Sequence, residues 1–157
     1  MNWMSVIAKT YMTITKTNIE DLFDELWPGM LYAHGHKLNC LTQLNSIQNY
    51  FKKNLYHNIL LKNLCSLEGI GITIGTGLIW SVYPDIRVPF DKYTLTFALQ
   101  KKIISSDKVS ERYVLYSESI KRFCDEYTID ERPYTIKDFV REAWVELEDS
   151  EFLAEPK

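Results

Sequence analysis

Apolar residues recur along this chain at helical intervals, and strict alternation is scarce, so the pattern predicts an all-α fold. Ile19, Leu22, Phe23, Leu26 and Trp27 mark the face of a first helix. Thr17 and Glu20 have capping-box spacing at its start, and Pro28-Gly29 ends it. Leu31 to His36 reads as a connection or short helix. From Lys37 to about Leu55, the residues Leu38, Leu41, Leu44, Ile47, Phe51 and Leu55 form one stripe, which predicts a single long amphipathic helix with Gln43, Asn49, Lys52 and Lys53 outside it.

The spacing then predicts a pair of helices, from Asn58 to about Ser66 and from Ile72 to about Tyr83, with Pro84-Asp85 breaking the second. Pro89 stands ahead of a helix from Asp91 to about Ile104. Asp107 or Ser110 is placed to cap another, carrying Tyr113, Val114, Tyr116, Ile120 and Phe123. Arg132-Pro133 is a breaker, and Thr135 with Asp138 repeats the capping spacing before Phe139, Val140, Trp144 and Leu147. The end, from about 149 to 157, is expected to fray. No repeat or long linker divides the chain, and 157 residues suit a single compact helical domain.

The glycines between the paired helices bring in chemistry. Leu67-Glu68-Gly69-Ile70-Gly71 sets two glycines around one aliphatic residue, a tight turn whose backbone N–H groups can face an anion. Leu67-x-Gly69-Ile70-Gly71-x-x-x-Gly75-x-x-Leu78-Ile79, followed after a short loop by Phe90-Asp91, resembles the helix-hairpin-helix and catalytic-aspartate region of DNA glycosylases of the endonuclease III type. The likeness covers Leu64 to Leu99. Glu68 stands where that family has proline, and Gly75 where it has alanine.

The resemblance implies DNA as partner, with Leu67, Gly69, Ile70, Gly71 and Thr73 contacting one strand through the backbone and Asp91 as the catalytic carboxylate. A carboxylate beside C1′ of an extruded nucleotide would stabilise the positive charge that develops as the base leaves, or activate a water. The same position also suits a plain helix N-cap. Many members carry a lysine where this chain has Thr73, which cannot form an imine, so the resemblance implies monofunctional base removal. It also implies a monovalent cation on the hairpin carbonyls. Alternatives are a non-catalytic DNA-binding hairpin and a protein-interaction domain that has lost DNA, and Glu68 at the turn would repel a phosphate.

Charge and cysteine usage narrow this picture. The net charge of −3 opposes a strong nucleic-acid binder, although Lys52-Lys53, Lys101-Lys102 and Lys121-Arg122 are segregated from the acidic tail. Cys40, Cys65 and Cys124 fit neither a disulfide framework nor the four-cysteine spacing of an iron–sulfur cluster, so no such cluster is expected and reduced thiols point to the cytoplasm. His34 and His36 read as surface or capping residues rather than metal ligands. The apolar run from Ile70 to Val82 is too short to span a bilayer, and Met1 to Thr15 lacks the layout of a signal peptide.

Overall fold

The computed structural model describes residues 13–27, 31–105, 111–149 and 153. The described residues form eight helices and one two-stranded ribbon, so the fold is all-α, as the periodicity predicts. Expectations placed on Met1 to Thr15 before Thr13, on Pro28-Gly29, on Asp107 and Ser110, and on most of the tail lie outside the described residues.

Helix α1 (Lys16–Leu26) buries Ile19, Leu22, Phe23 and Leu26, the face marked by the sequence. Its cap is Thr15 rather than Thr17: Thr15 Oγ1 accepts from Asn18 N at 3.1 Å, and Asn18 Oδ1 accepts from Thr15 N at 2.8 Å. Asn18 thus plays the part that the sequence pattern assigned to Glu20.

The long helix expected over 37–55 is instead two, α2 (Leu31–Thr42) and α3 (Leu44–Lys52). The break falls at Gln43, whose backbone leaves the helical basin at φ −99°, ψ 17°. Ile47 and Phe51 stay buried beyond it, so the apolar stripe crosses the joint without registering it, whereas Leu38 is 49% exposed.

Helices α4 (His57–Cys65) and α5 (Ile72–Val82) form the predicted pair. Every residue of α5 from Gly75 to Trp80 is buried, and α5 packs on both α1 and α4, which makes it the central helix. Gly75 lies in the contact between α4 and α5: a Cβ would lie 2.9 Å from Leu61 Cδ1 and 3.3 Å from Cys65 Sγ, so those side chains would have to shift to admit one.

Helix α6 (Lys92–Gln100) packs most extensively on α8 (Ile136–Leu147), with the Phe97 and Phe139 rings 5.1 Å apart. Helix α7 (Tyr113–Asp125) rests on α4 and α8. Between α7 and α8 lies a ribbon unforeseen in the sequence, β1 (Thr128–Ile129) antiparallel to β2 (Arg132–Pro133). Its two turn residues, Asp130 and Glu131, both have positive φ (49° and 65°), the conformation of a two-residue hairpin turn that matches strand twist.

The predicted cap of α8 is present. Thr135 and Asp138 exchange side-chain bonds, and Arg132 adds a two-pronged contact to the Asp138 carboxylate at 2.8 Å on each oxygen. The Arg132 guanidinium, with the Thr135 bonds, holds the Asp138 carboxyl well below the usual range, against the effect of burial.

Candidate functional site

The turn between α4 and α5 is anchored from below. Asn39 Nδ2 and Gln43 Nε2, from α2 and its break, donate to the Glu68 carbonyl at 2.7 and 2.8 Å. Gly69 follows with φ +75°, and a Cβ there would meet Asn39 Nδ2 at 2.5 Å, so another residue would be strained and would displace the Asn39 amide from the turn. Ile70 is buried and fixes the turn to the core, while Leu67 and Thr73 are half-buried.

Gly71 differs from Gly69. It is exposed, a Cβ would meet nothing within 4 Å, and it caps α5 with no side-chain hydrogen bond. The first intrahelical bond here runs from Gly75 N to Gly71 O at 2.8 Å, so the amides of the opening turn have no helical acceptor. The backbone at Gly71 to Thr73 is therefore an open set of donors at the positive end of a helix dipole.

Two of the hairpin carbonyls already accept hydrogen bonds. The Glu68 oxygen already accepts two amide donors, which uses both of its lone pairs, and Leu67 O accepts from Ile70 N at 3.2 Å. Among the described residues no group of three or more His, Cys, Asp or Glu could hold a metal ion. His34 and His36 lie exposed on α2.

Asp91 is tied to the same central helix through the loop that precedes it. Phe90 N donates to Thr76 Oγ1, in the second turn of α5, at 2.8 Å. Val88 N donates to Ser117 Oγ at 3.2 Å, and the Tyr113 hydroxyl donates to Val88 O at 2.9 Å. Thr94 Oγ1 donates to Pro89 O at 2.9 Å. Hydroxyls from α5, α6 and α7 thus satisfy a buried run of backbone that has no regular structure of its own.

The Asp91 side chain is 3% exposed. Its Oδ1 accepts from Tyr93 N and Thr94 N, both at 2.9 Å, as the N-cap of α6, and Thr94 Oγ1 returns a bond from Asp91 N at 3.1 Å. Over Oδ2 lies the Trp144 indole, with Nε1 at 3.4 Å, and the Trp144 and Tyr93 rings stack with centroids 4.1 Å apart. Burial pushes the Asp91 carboxyl upward, partly offset by the bonds from Thr94, Trp144 and Tyr93.

The structure therefore joins the hairpin helix to the aspartate loop, but covers the aspartate. Thr76, Tyr113, Ser117 and Trp144 were not singled out in the sequence for these roles. Each acts on a partner 14 to 53 positions away, beyond any local motif.

A second polar pair flanks α4. Arg87 Nε donates to His57 Nδ1 at 2.7 Å, and the His57 ring lies 4.6 Å from that of Tyr83. Burial, and then the Arg87 charge, lower the His57 pKa to about 4, so the ring is neutral at pH 7 and accepts from the guanidinium.

Among the described residues no helix is long and apolar enough to cross a membrane. Compared with family models, curated proteins and solved structures, the chain finds no match in any of the three.

Proposed function

We propose that this chain is a helix-hairpin-helix DNA-binding module that holds one strand through backbone amides of the Gly69–Thr73 turn and, with Asp91 covered, releases no base. The observation that carries this reading is the open face at Gly71, an exposed residue at which a Cβ would meet nothing within 4 Å and which starts α5 without a side-chain cap. Phosphate contacts of this kind position a protein on DNA without reading its sequence.

The test is fluorescence anisotropy with a labelled duplex at low salt. Wild type is expected to bind with an affinity that falls steeply as salt rises, and Gly71→Leu to weaken binding by about tenfold while the fold persists. Failure of wild type to bind any duplex would favour the protein-interaction alternative.

A second reading keeps Asp91 as the catalytic group of a monofunctional glycosylase. It is favoured by the Phe90–Thr76 bond, which seats Asp91 beside the hairpin helix. Catalysis in this reading requires the Trp144 indole to leave Oδ2. Abasic-site formation on lesion-bearing duplexes, present in wild type and lost in Asp91→Asn, would support it; no abasic product from wild type would remove it.

A further inference from the structure

At the opposite end of α6 from Asp91, a cavity of about 370 Å³ opens between the last turn of α7, the β ribbon and α8. Its walls are aromatic. The Phe123 and Tyr127 rings lie 4.7 Å apart, and Tyr127 meets Tyr134 edge-on at 6.5 Å. Tyr127 is 50% exposed, so one ring is presented to solvent, while Tyr134 is 7% exposed and forms the floor.

Glu142 stands among these rings. Its Oε2 accepts from the Tyr134 hydroxyl at 2.9 Å, and among the described residues it has no ion pair. Burial and the Glu142 bond both raise the Tyr134 pKa, so the hydroxyl remains a donor at neutral pH. A half-buried carboxylate with no ion pair among the described residues, lined by three aromatic side chains, is an environment suited to positive charge.

The charged group left on the wall is Lys101. Its ammonium sits 5.2 Å from the Phe97 ring centroid, engaged with an aromatic outside the Phe123–Tyr127–Tyr134 set. It supplies no counter-charge to Glu142 within ion-pair distance.

We propose that this cavity binds an alkylated ammonium group, with the cation against the Tyr127 and Phe123 rings and the Glu142 carboxylate. The inference is independent of the hairpin and of DNA. The same headgroup occurs on free small molecules and on methylated lysine side chains of peptides, and the two sources are separable by probe.

The experiment is an amide-resolved NMR titration of the full chain. Choline chloride is expected to shift the Thr128 and Ile129 amides with a millimolar Kd, and acetyl-trimethyllysine-amide to do the same; whichever binds more tightly assigns the source. The neutral isostere 3,3-dimethylbutan-1-ol is expected to leave those amides unmoved. Glu142→Gln keeps an acceptor for Tyr134 but removes the charge, and Tyr127→Ala removes an exposed ring; each is expected to weaken choline by about tenfold with the rest of the spectrum unchanged. Lys101→Ala is expected to bind choline as tightly as wild type or more so. The proposal is overturned if choline at about 50 mM moves neither amide, if the neutral alcohol binds equally well, or if Glu142→Gln binds like wild type.

Discussion

Trp144 covers Asp91: the indole Nε1 lies 3.4 Å from Oδ2, and the carboxylate beneath is 3% exposed. A group placed by resemblance at a reaction centre is here held between helix-start amides on one oxygen and an aromatic on the other. What it does in the folded chain at rest is cap α6, a role that needs the oxygen more than the charge.

That distinction predicts different outcomes for two substitutions. Asp91→Asn keeps an acceptor for Tyr93 N and Thr94 N, whereas Asp91→Ala leaves buried amides unsatisfied and removes the cap. In urea unfolding at pH 7, the alanine variant is expected to lose about 2–3 kcal/mol and the asparagine variant under about 1 kcal/mol. The pH dependence has a defined sign. Burial raises the folded pKa of Asp91 above its ordinary value, so its contribution favours folding most at acid pH and is lost as pH rises through the folded value. The stability of wild type relative to Asp91→Asn should therefore fall as pH rises above the ordinary carboxylate value, and a relative rise would contradict the assignment of burial as the dominant cause.

The loop ahead of Asp91 depends on hydroxyls rather than on packing alone. Thr76→Val is close to isosteric but strips the acceptor from Phe90 N, and Tyr113→Phe strips the donor from Val88 O. Each is expected to cost about 1–2 kcal/mol, the threonine change at the upper end because it leaves a buried N–H unpaired. Both bonds hold one loop, so the double variant should cost less than the sum of the two; strict additivity in a double-mutant cycle would show that the loop is not a single unit.

Helix faces were legible because burial on one side of a helix leaves a period in the sequence, as Ile19, Leu22, Phe23 and Leu26 show. The break at Gln43 was not, because Leu44, Ile47 and Phe51 continue to face the core across it, and the Glu68 carbonyl that the Gln43 side chain reaches is 25 positions away. The ribbon at 128–133 was hidden for a different reason. Its turn uses Asp130 and Glu131 with positive φ, where the sequence offers neither Asn nor Gly as a signal. For the site, the glycine pair could be read as a turn and Asp91 as a helix start, but whether that aspartate is open or covered depends on Trp144, far along the chain.

His57 provides a pH response of the opposite sign to that of Asp91. Its folded pKa is lowered to about 4 by burial and by Arg87, below the ordinary histidine value of 6.5, so the neutral ring favours folding above pH 6.5 and that contribution is lost as pH falls towards 4. Solvent reaches part of the ring and screens the effect, which leaves it on the order of 1–2 kcal/mol. Replacing His57 with Gln, whose carbonyl can still accept from Arg87 Nε, should flatten the stability profile between pH 6.5 and 4. NMR titration of the ring should place its midpoint near 4, and a midpoint at the ordinary value would show that the ring is neither buried nor held beside Arg87 in solution.

The two hairpin glycines are expected to separate stability from binding. Gly69→Ala forces a Cβ into a positive-φ residue and against Asn39 Nδ2, and should destabilise the fold by about 1–2 kcal/mol. Gly71→Leu places its side chain in open space at an extended backbone position, so its cost to stability should stay under about 1 kcal/mol while DNA affinity drops. Glu68 supplies the complementary change: it is exposed, its carbonyl rather than its carboxylate anchors the turn, and Glu68→Lys converts a repulsive charge beside a phosphate into an attractive one. Anisotropy at two salt concentrations should therefore show tighter binding for Glu68→Lys with a salt slope steeper by about one, and weaker binding for Gly71→Leu. If neither substitution alters DNA affinity, the strand does not lie on this turn.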